Sequence, residues 1–411
     1  MRIVCEDFRQ SDFSDFVIME KNSMLDKIKI PAALQITFDD LGWHDGRDYT
    51  SEGKVSRSGL PREHAVEDYT VVNELGKAIN QKILGLLCLV DWDKDNILRG
   101  EVGLTPDPYG WDRAATIDMD YARACFEEME KSEYIEYGVH SIYHSRYDEN
   151  GKYITERELL EKIDGVEHPI SASEFSRRLE LFFKIYDSWG FKQKLKVYGE
   201  PCGLPDRMPS EELSELNAVL YAHGLKFWRT HWTYFHDKRE VLSYPTLYTS
   251  MNRRVAIAVD WDVYDIDVSK IPDVMLPGEK NLWPCLVLHW TNFLRLDPKE
   301  NLECIVSWVD YFNRQSEIFG LMISRDFDFY FNQQMYYQFA KIDATESGFE
   351  LDLSEMPTLP EDILKNEFYI SLANGIEPKE CIGGKIELYE TKKGFKTYKI
   401  TDFKEKIEIK I

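Results

Sequence analysis

The apolar run Ile36-Thr37-Phe38 ends in two adjacent carboxylates, Asp39 and Asp40, and much farther along the chain His140-Ser141-Ile142-Tyr143-His144 places two imidazoles four positions apart. One Asp and two His make a three-ligand set that leaves a divalent cation an open position for water. The chemistry such a set performs is metal-assisted hydrolysis. Spacing restricts how the residues can be used. If residues 140–144 were extended, the two imidazoles would share a face but lie roughly 13 Å apart, too far for one ion with ligand bonds of about 2 Å. A helical turn brings positions i and i+4 to about 6 Å. The spacing therefore predicts that the strand Tyr134–Val139 ends and a turn of helix begins near Ser141. Asp39 and Asp40, as neighbours on a strand, point to opposite faces and should not bind one metal equivalently.

Positioning these side chains requires strands alternating with helices. The pattern predicts strand Ala33–Phe38, helix Ala65–Asn80, strand Lys82–Val90 and helix Asp118–Lys131 before the strand that leads to His140. Residues 146–194 read as an insertion with a polar helix near Thr155–Ile163 and an amphipathic helix at Glu174–Trp189. Strand Leu195–Tyr198, helix Glu211–His223, strands Lys226–Trp232, Val255–Trp261 and Cys285–His289, and helix Asn301–Phe319 follow. The chemistry-bearing residues stand at the carboxyl ends of apolar runs, where (β/α) barrels place their sites. From about Phe339 the texture changes to short alternating runs (Phe349–Leu353, Phe368–Leu372, Lys385–Tyr389, Phe395–Ile400, Lys406–Ile411), which describe a small all-β module. The expected division is a barrel over 1–335 and a β-sandwich-like accessory domain over 339–411, covering the barrel in preference to binding sugar.

Thr37-Phe38-Asp39-Asp40 followed by His140-Ser141-Ile142-Tyr143-His144 resembles the first two motifs of the polysaccharide deacetylases, the NodB-homology carbohydrate esterases of the family 4 type. The resemblance implies an α/β fold, a distorted (β/α) barrel of the polysaccharide deacetylase type with the small C-terminal all-β domain appended. It implies that Asp39 is the general base and that Asp40, His140 and His144 bind a divalent metal, zinc first, with cobalt, nickel, manganese or iron as alternatives. Cys285-Leu286-Val287-Leu288-His289 resembles the family's last motif, which makes His289 the general acid. Tyr198-Gly199-Glu200-Pro201-Cys202-Gly203 stands where the third motif falls, with Gly199 in place of the Arg that orients the base and Cys202 in place of an aromatic residue. Arg229 and Arg146 are the candidates to replace that Arg. Asp260-Trp261 resembles the fourth motif, and Asp260 or Asp262 would stand beside His289. The likeness spans roughly residues 30–325 in order.

The resemblance implies removal of an N-acyl group, acetyl in the first instance, from an amino sugar or polysaccharide precursor. Asp39 would take a proton from the attacking water, a backbone N–H near Cys202 would face the oxyanion, and His289 would protonate the departing amine. Two readings of other classes stand beside it: a non-catalytic carbohydrate-binding protein on a degenerate barrel, and a hydrolase of small non-sugar amides. A carboxylate-pair glycosidase is disfavoured, because adjacent Asp39 and Asp40 cannot flank a glycosidic bond. Trp43, directly after the Asp pair, can stack on a pyranose face or pack as core, with Asp45 and Arg47 near enough in sequence to reach hydroxyls. His44 is either a fourth ligand or a neighbour of the site. Trp290 and Asn292, after His289, can line the same pocket, and Trp290 can equally be packing.

With 411 residues, 43% hydrophobic and 13% aromatic, the chain can bury a large core and exceeds one domain. A formal charge of −23 opposes a nucleic-acid partner, since phosphate binding relies on clustered Lys and Arg. A neutral or cationic glycan is easier to accommodate. The seven cysteines, Cys5, Cys88, Cys125, Cys202, Cys285, Cys304 and Cys381, are odd in number, scattered and without a Cys-x-x-Cys pair, as expected of free thiols in a reducing compartment. The opening residues lack the apolar core of a secretory signal and no run is long enough to span a bilayer, so the expected location is cytoplasmic.

Overall fold

The computed structural model describes residues 24–42, 60, 62–155, 157–163, 166–201, 210–231, 248–254, 264–271, 283–392 and 394–411. Two compact units emerge: Ala32–Gln338, and a second that joins Phe339–Ile411 to the residues before Ala32.

The larger unit is a parallel sheet that closes on itself, of mixed α/β construction. Its ring strands are β1 (Ala33–Leu41), β2 (Ile83–Cys88), β3 (Ile135–Ser141), β4 (Val197–Gly199), β5 (Phe227–His231), β6 (Tyr248–Arg254) and β7 (Trp283–His289). They pair in chain order, and β7 returns to β1 with Cys285 beside Gln35 and His289 beside Asp39. A two-residue strand, β8 (Met322–Ile323), pairs with the first residues of β1. All these pairings are parallel, so the carboxyl ends of the strands share one end of the ring. Parallel strands covered on both faces read as continuous apolar runs, and β2, Ile-Leu-Gly-Leu-Leu-Cys, is buried throughout. The arrangement is compatible with a distorted barrel.

Among the described residues the α-helices of more than one turn are α1 (Val66–Ile79), α2 (Met119–Lys131), α3 (Ala172–Trp189), α4 (Ser210–Ala222), α5 (Ile305–Phe319) and α6 (Phe327–Phe339). Their ends follow local chemistry. Asp118 caps α2 by accepting the N–H groups of Asp120 and Tyr121, Ser171 caps α3 through Glu174 N, and Gly190 ends α3 at φ 78°. Helix α6 was not legible in sequence. Of its thirteen residues, Phe-Asp-Phe-Tyr-Phe-Asn-Gln-Gln-Met-Tyr-Tyr-Gln-Phe, seven are aromatic β-formers, and almost all are buried or nearly so, leaving no exposed face to reveal a helical period.

The insertion differs from its expected form. In place of a helix near Thr155–Ile163 there are two hairpins, Arg146–Tyr147 with Tyr153–Thr155, and Leu160–Ile163 with Val166–Pro169. Only the amphipathic helix, α3, matches. The expected strand Val255–Trp261 lies outside the described residues, and the strand in this part of the ring is Tyr248–Arg254.

Among the described residues the strand pairings of the smaller unit are all antiparallel. One sheet runs Ile28–Lys29, Glu367–Ala373, Phe395–Thr401, Lys385–Lys392, and the other Lys341–Ala344, Gly348–Asp352, Lys406–Lys410, Glu380–Ile382. Phe349, Leu351, Ile407 and Ile409 of one sheet are fully buried with the period of two expected where a strand turns one face to a core, whereas Glu367–Ala373 of the other is buried on both faces, Tyr369 and Ser371 as well as Phe368, Ile370 and Leu372. Residues 28 and 29 pair here, so this unit takes in a strand that the sequence placed in the 1–335 segment.

Candidate metal centre

Two interruptions of the sheet build the site. Between Phe38 and Leu41 the register of β1 against β2 slips, and Asp40 in that interval has φ 66°. Between β2 and β3 the register passes from Leu87 opposite Val139 to Cys88 opposite Ser141, leaving His140 as the extra residue. Bulges re-aim side chains where strands end, and here they free Asp40 and His140 from strict alternation.

Asp40, His140 and His144 converge. His140 Nε2 lies 3.5 Å and His144 Nε2 3.6 Å from Asp40 Oδ1, and one ligand atom from each residue falls within 4.8 Å of the other two. Tetrahedral bonds of about 2.0–2.1 Å give ligand-to-ligand edges of about 3.4 Å, close to the two separations from Asp40, so this donor set could hold a metal ion. The tautomer also fits. His140 Nδ1 donates to the Gly199 carbonyl at 2.7 Å, which turns Nε2 to Asp40, with a lone pair for a cation when the ring is neutral and an N–H for the carboxylate when it is charged. Both histidines are buried, while the Asp40 side chain keeps 16% of its surface open. The predicted turn of helix after Ser141 does not form. Strand β3 runs through Ser141 and the chain then bends, with His144 in the left-handed region at φ 61°, which brings the imidazoles to a 5.0 Å centroid separation without a helix.

Asp39 faces a different partner. Arg229 Nη2 donates to Asp39 Oδ1 at 2.6 Å and Arg229 Nη1 to Thr37 Oγ1 at 3.0 Å. Burial pushes the Asp39 carboxyl up, but the charges of Arg229, His140 and His289 and the Arg229 hydrogen bond outweigh it, so Asp39 titrates below the usual carboxylate range. Burial opposes the charge on His140 as well, and the hydrogen bond to Asp40 with the charges of Asp39 and Asp40 carries the imidazole upward on balance. Arg229 stands directly beside Gly199 in the pairing of β4 with β5. A Cβ at Gly199 would sit 2.9 Å from Arg229 Nε and 3.0 Å from Nη2, as well as 2.3 Å from Leu86 Cδ1. The absent side chain at 199 is the room the guanidinium occupies. Glu200 adds its negative charge to those that keep Arg229 protonated, and accepts a 2.8 Å bond from Trp228 Nε1.

His289 is half-buried at the end of β7 in register with Asp39, and its N–H is held by Asn292 Oδ1 at 2.8 Å. Trp290 is buried, stacks on His64 at 4.1 Å and donates to Asp68 O. Arg146 bonds Leu160 O and Glu161 within the insertion, so of the two Arg candidates it is Arg229 that reaches Asp39. Trp43, His44, Asp45, Arg47, Cys202, Asp260 and Asp262 lie outside the described residues. Two contributors escaped the sequence reading. The Cys88 thiol lies 3.1 Å from Ser141 Oγ and donates to Asp40 Oδ1 at 3.8 Å, and Glu158 binds the backbone of the His144 loop. An arginine inside an otherwise apolar strand, as in Phe227-Trp228-Arg229, was the signal for Arg229; the polar stretch around Glu158 offered none.

Among the described residues no helix is long and apolar enough to cross a membrane. Comparison with known protein families found no family model that matches the chain, and comparison with curated proteins found no match.

Proposed function

We propose that the chain is a metal-dependent hydrolase that removes an N-acyl group, acetyl in the first instance, from an amino sugar or a glycan precursor, on a distorted (β/α) barrel of the polysaccharide deacetylase type. The observation that carries this reading is the separation of labour between adjacent carboxylates. Asp40 joins His140 and His144 in a cation-sized cluster, while Asp39 is turned to Arg229 and kept ionised.

A divalent cation, zinc by preference, held by Asp40, His140 and His144 would supply Lewis-acid activation of water and of the scissile carbonyl. The remaining steps belong to the protein. Asp39 accepts the proton of the attacking water, and Arg229 holds the carboxylate in the orientation that receives it. His289, next to Asp39 in the sheet, donates a proton to the amine nitrogen as the C–N bond breaks. The products are a carboxylic acid and a free amine. Arg229 takes the place of the arginine missing at position 199, which removes the main reason for regarding the barrel as degenerate.

Acetate release from N-acetylated amino sugars and their oligomers, measured on metal-loaded, chelator-treated and reconstituted protein, tests the proposal. Asp39→Asn is expected to abolish turnover while retaining the metal, and Asp40→Ala to lose both. A protein that takes up no divalent metal, or that releases acid only from simple amides, contradicts the reading.

A further inference from the structure

The loop that carries His144 is held by a residue outside every motif. Glu158 accepts the backbone N–H groups of Ile142 at 3.4 Å, Tyr143 at 3.3 Å and His144 at 2.9 Å. Three successive N–H groups converging on one carboxylate form an anion-binding concavity. Glu158 is only 2% exposed, so water does not share the task of satisfying its charge. Arg178 of α3 does so, with Nη1 3.2 Å from Glu158 Oε1. Arg178 is itself buried and fixed, its Nε donating to Glu174 at 2.8 Å and its Nη2 to Gly103 O at 3.3 Å. The carboxylate is thus anchored from the insertion and applied to the backbone at the point where His144 takes φ 61°. A histidine rarely holds that conformation without an outside constraint, because its Cβ crowds the following carbonyl.

We propose that Glu158 is a positioning residue of the metal centre: its carboxylate, held by Arg178, fixes the backbone of residues 142–144 and thereby aims the His144 imidazole at Asp40 and His140. The proposal rests on the metal reading of that cluster. It gives the insertion a task in the site without giving it a ligand. Returning His144 to right-handed backbone would swing its Cβ away from a ring position that now lies 3.6 Å from Asp40 Oδ1.

The test uses the full chain as wild type, Glu158→Ala and Glu158→Gln. Zn(II) affinity is read by competition with a chromophoric chelator, geometry by the visible spectrum of the Co(II)-substituted protein, and loop order by amide exchange of residues 142–144 in the metal-free protein. Glu158→Ala is expected to weaken Zn(II) binding by about 10–100-fold, to alter the Co(II) spectrum and to speed exchange at 142–144 while the ring strands keep their protection. Glu158→Gln, which retains one acceptor oxygen, should fall between it and wild type; it carries the same comparison if the alanine variant fails to fold. Wild-type affinity, spectrum and exchange in both variants overturn the proposal. A wild type that takes up neither Zn(II) nor Co(II) overturns the metal reading instead. Exchange at 142–144 then decides the rest: faster in the variants, it upholds Glu158 as the residue that sets the loop, and unchanged, it overturns that as well.

Discussion

Asp39 and Arg229 form a buried ion pair whose members depend on each other. Removing one partner of such a pair strands the other charge away from water and costs about 3–5 kcal/mol. Arg229→Met should therefore lower the unfolding midpoint and also change the pH profile of turnover. Because Arg229 is the leading charge holding the Asp39 pKa down, its loss lets that pKa rise. On the proposed mechanism the base is active when ionised, so the acidic limb of the rate profile should move to higher pH; an unmoved limb would show that Asp39 is not the group that titrates there. Gly199→Ala should produce a milder version of the same shift by crowding the guanidinium. Asp39, Asp40, His140, His144 and His289 were legible in sequence because residue type and order sufficed to single them out. Arg229 was legible only as one of two candidate arginines, because the register that sets it beside Gly199 is defined by the fold, and Glu158 was not legible, because it acts through a turn that no pattern marks.

Between elements, buried carboxylates set two opposite pH dependences. Asp68 of α1 receives Arg62 through both oxygens at 2.8 and 2.9 Å, His64 Nδ1 at 3.1 Å, Asn301 Nδ2 at 2.7 Å and Ala65 N at 2.8 Å, tying α1 to the segment after β7. Burial pushes this carboxyl up, but the bonds from His64 and Arg62 and their charges hold it far below the usual range. A depressed folded-state pKa gives stability that is present above the unfolded value near 3.9 and lost as pH falls toward the folded one. Asp68→Ala should cost about 3–5 kcal/mol at neutral pH and flatten the acid side of the stability profile, as read by denaturant melts. Glu136 of β3 behaves the other way. Burial pushes it up to about 7 despite the N–H of Phe327 and the nearby Lys196. Its ionisation opposes folding, so stability should decline as pH rises from about 4.5 to about 7. Glu136→Gln should remove that decline and gain on the order of 2 kcal/mol at pH 8, measured in the same melts. Helix and strand identities were largely readable from periodicity. The bend after Ser141 was not, because an i, i+4 histidine pair suggests a helix when geometry is the only guide, whereas a left-handed residue brings the same rings together.

For the whole molecule the dominant long-range quantity is a formal charge of −23. Self-repulsion of that size destabilises a compact state, and salt screens it over a Debye length of about 10 Å at 0.1 M. The melting temperature should rise when NaCl is increased from about 10 to about 150 mM at neutral pH; a fall would mean that attractive ion pairs outweigh the repulsion. The two units described here differ in kind, a parallel ring and a pair of antiparallel sheets, and their textures were visible as a change from long apolar runs to short alternating ones near Phe339. The short strand at residues 28 and 29 was not, because two residues carry no period.

The neighbouring positions 199 and 229 have a consequence for how this chain tolerates change. A side chain installed at 199 alone crowds the guanidinium, and deletion of the guanidinium alone abandons Asp39, so each single step should be harmful. Moving the arginine from one strand to its neighbour should rescue part of what either step loses, a sign of strong epistasis. On the proposed function, the route between the two arrangements should cross a valley, and a pattern that asks for arginine at one fixed place along the chain is blind to an arginine supplied by the neighbouring strand.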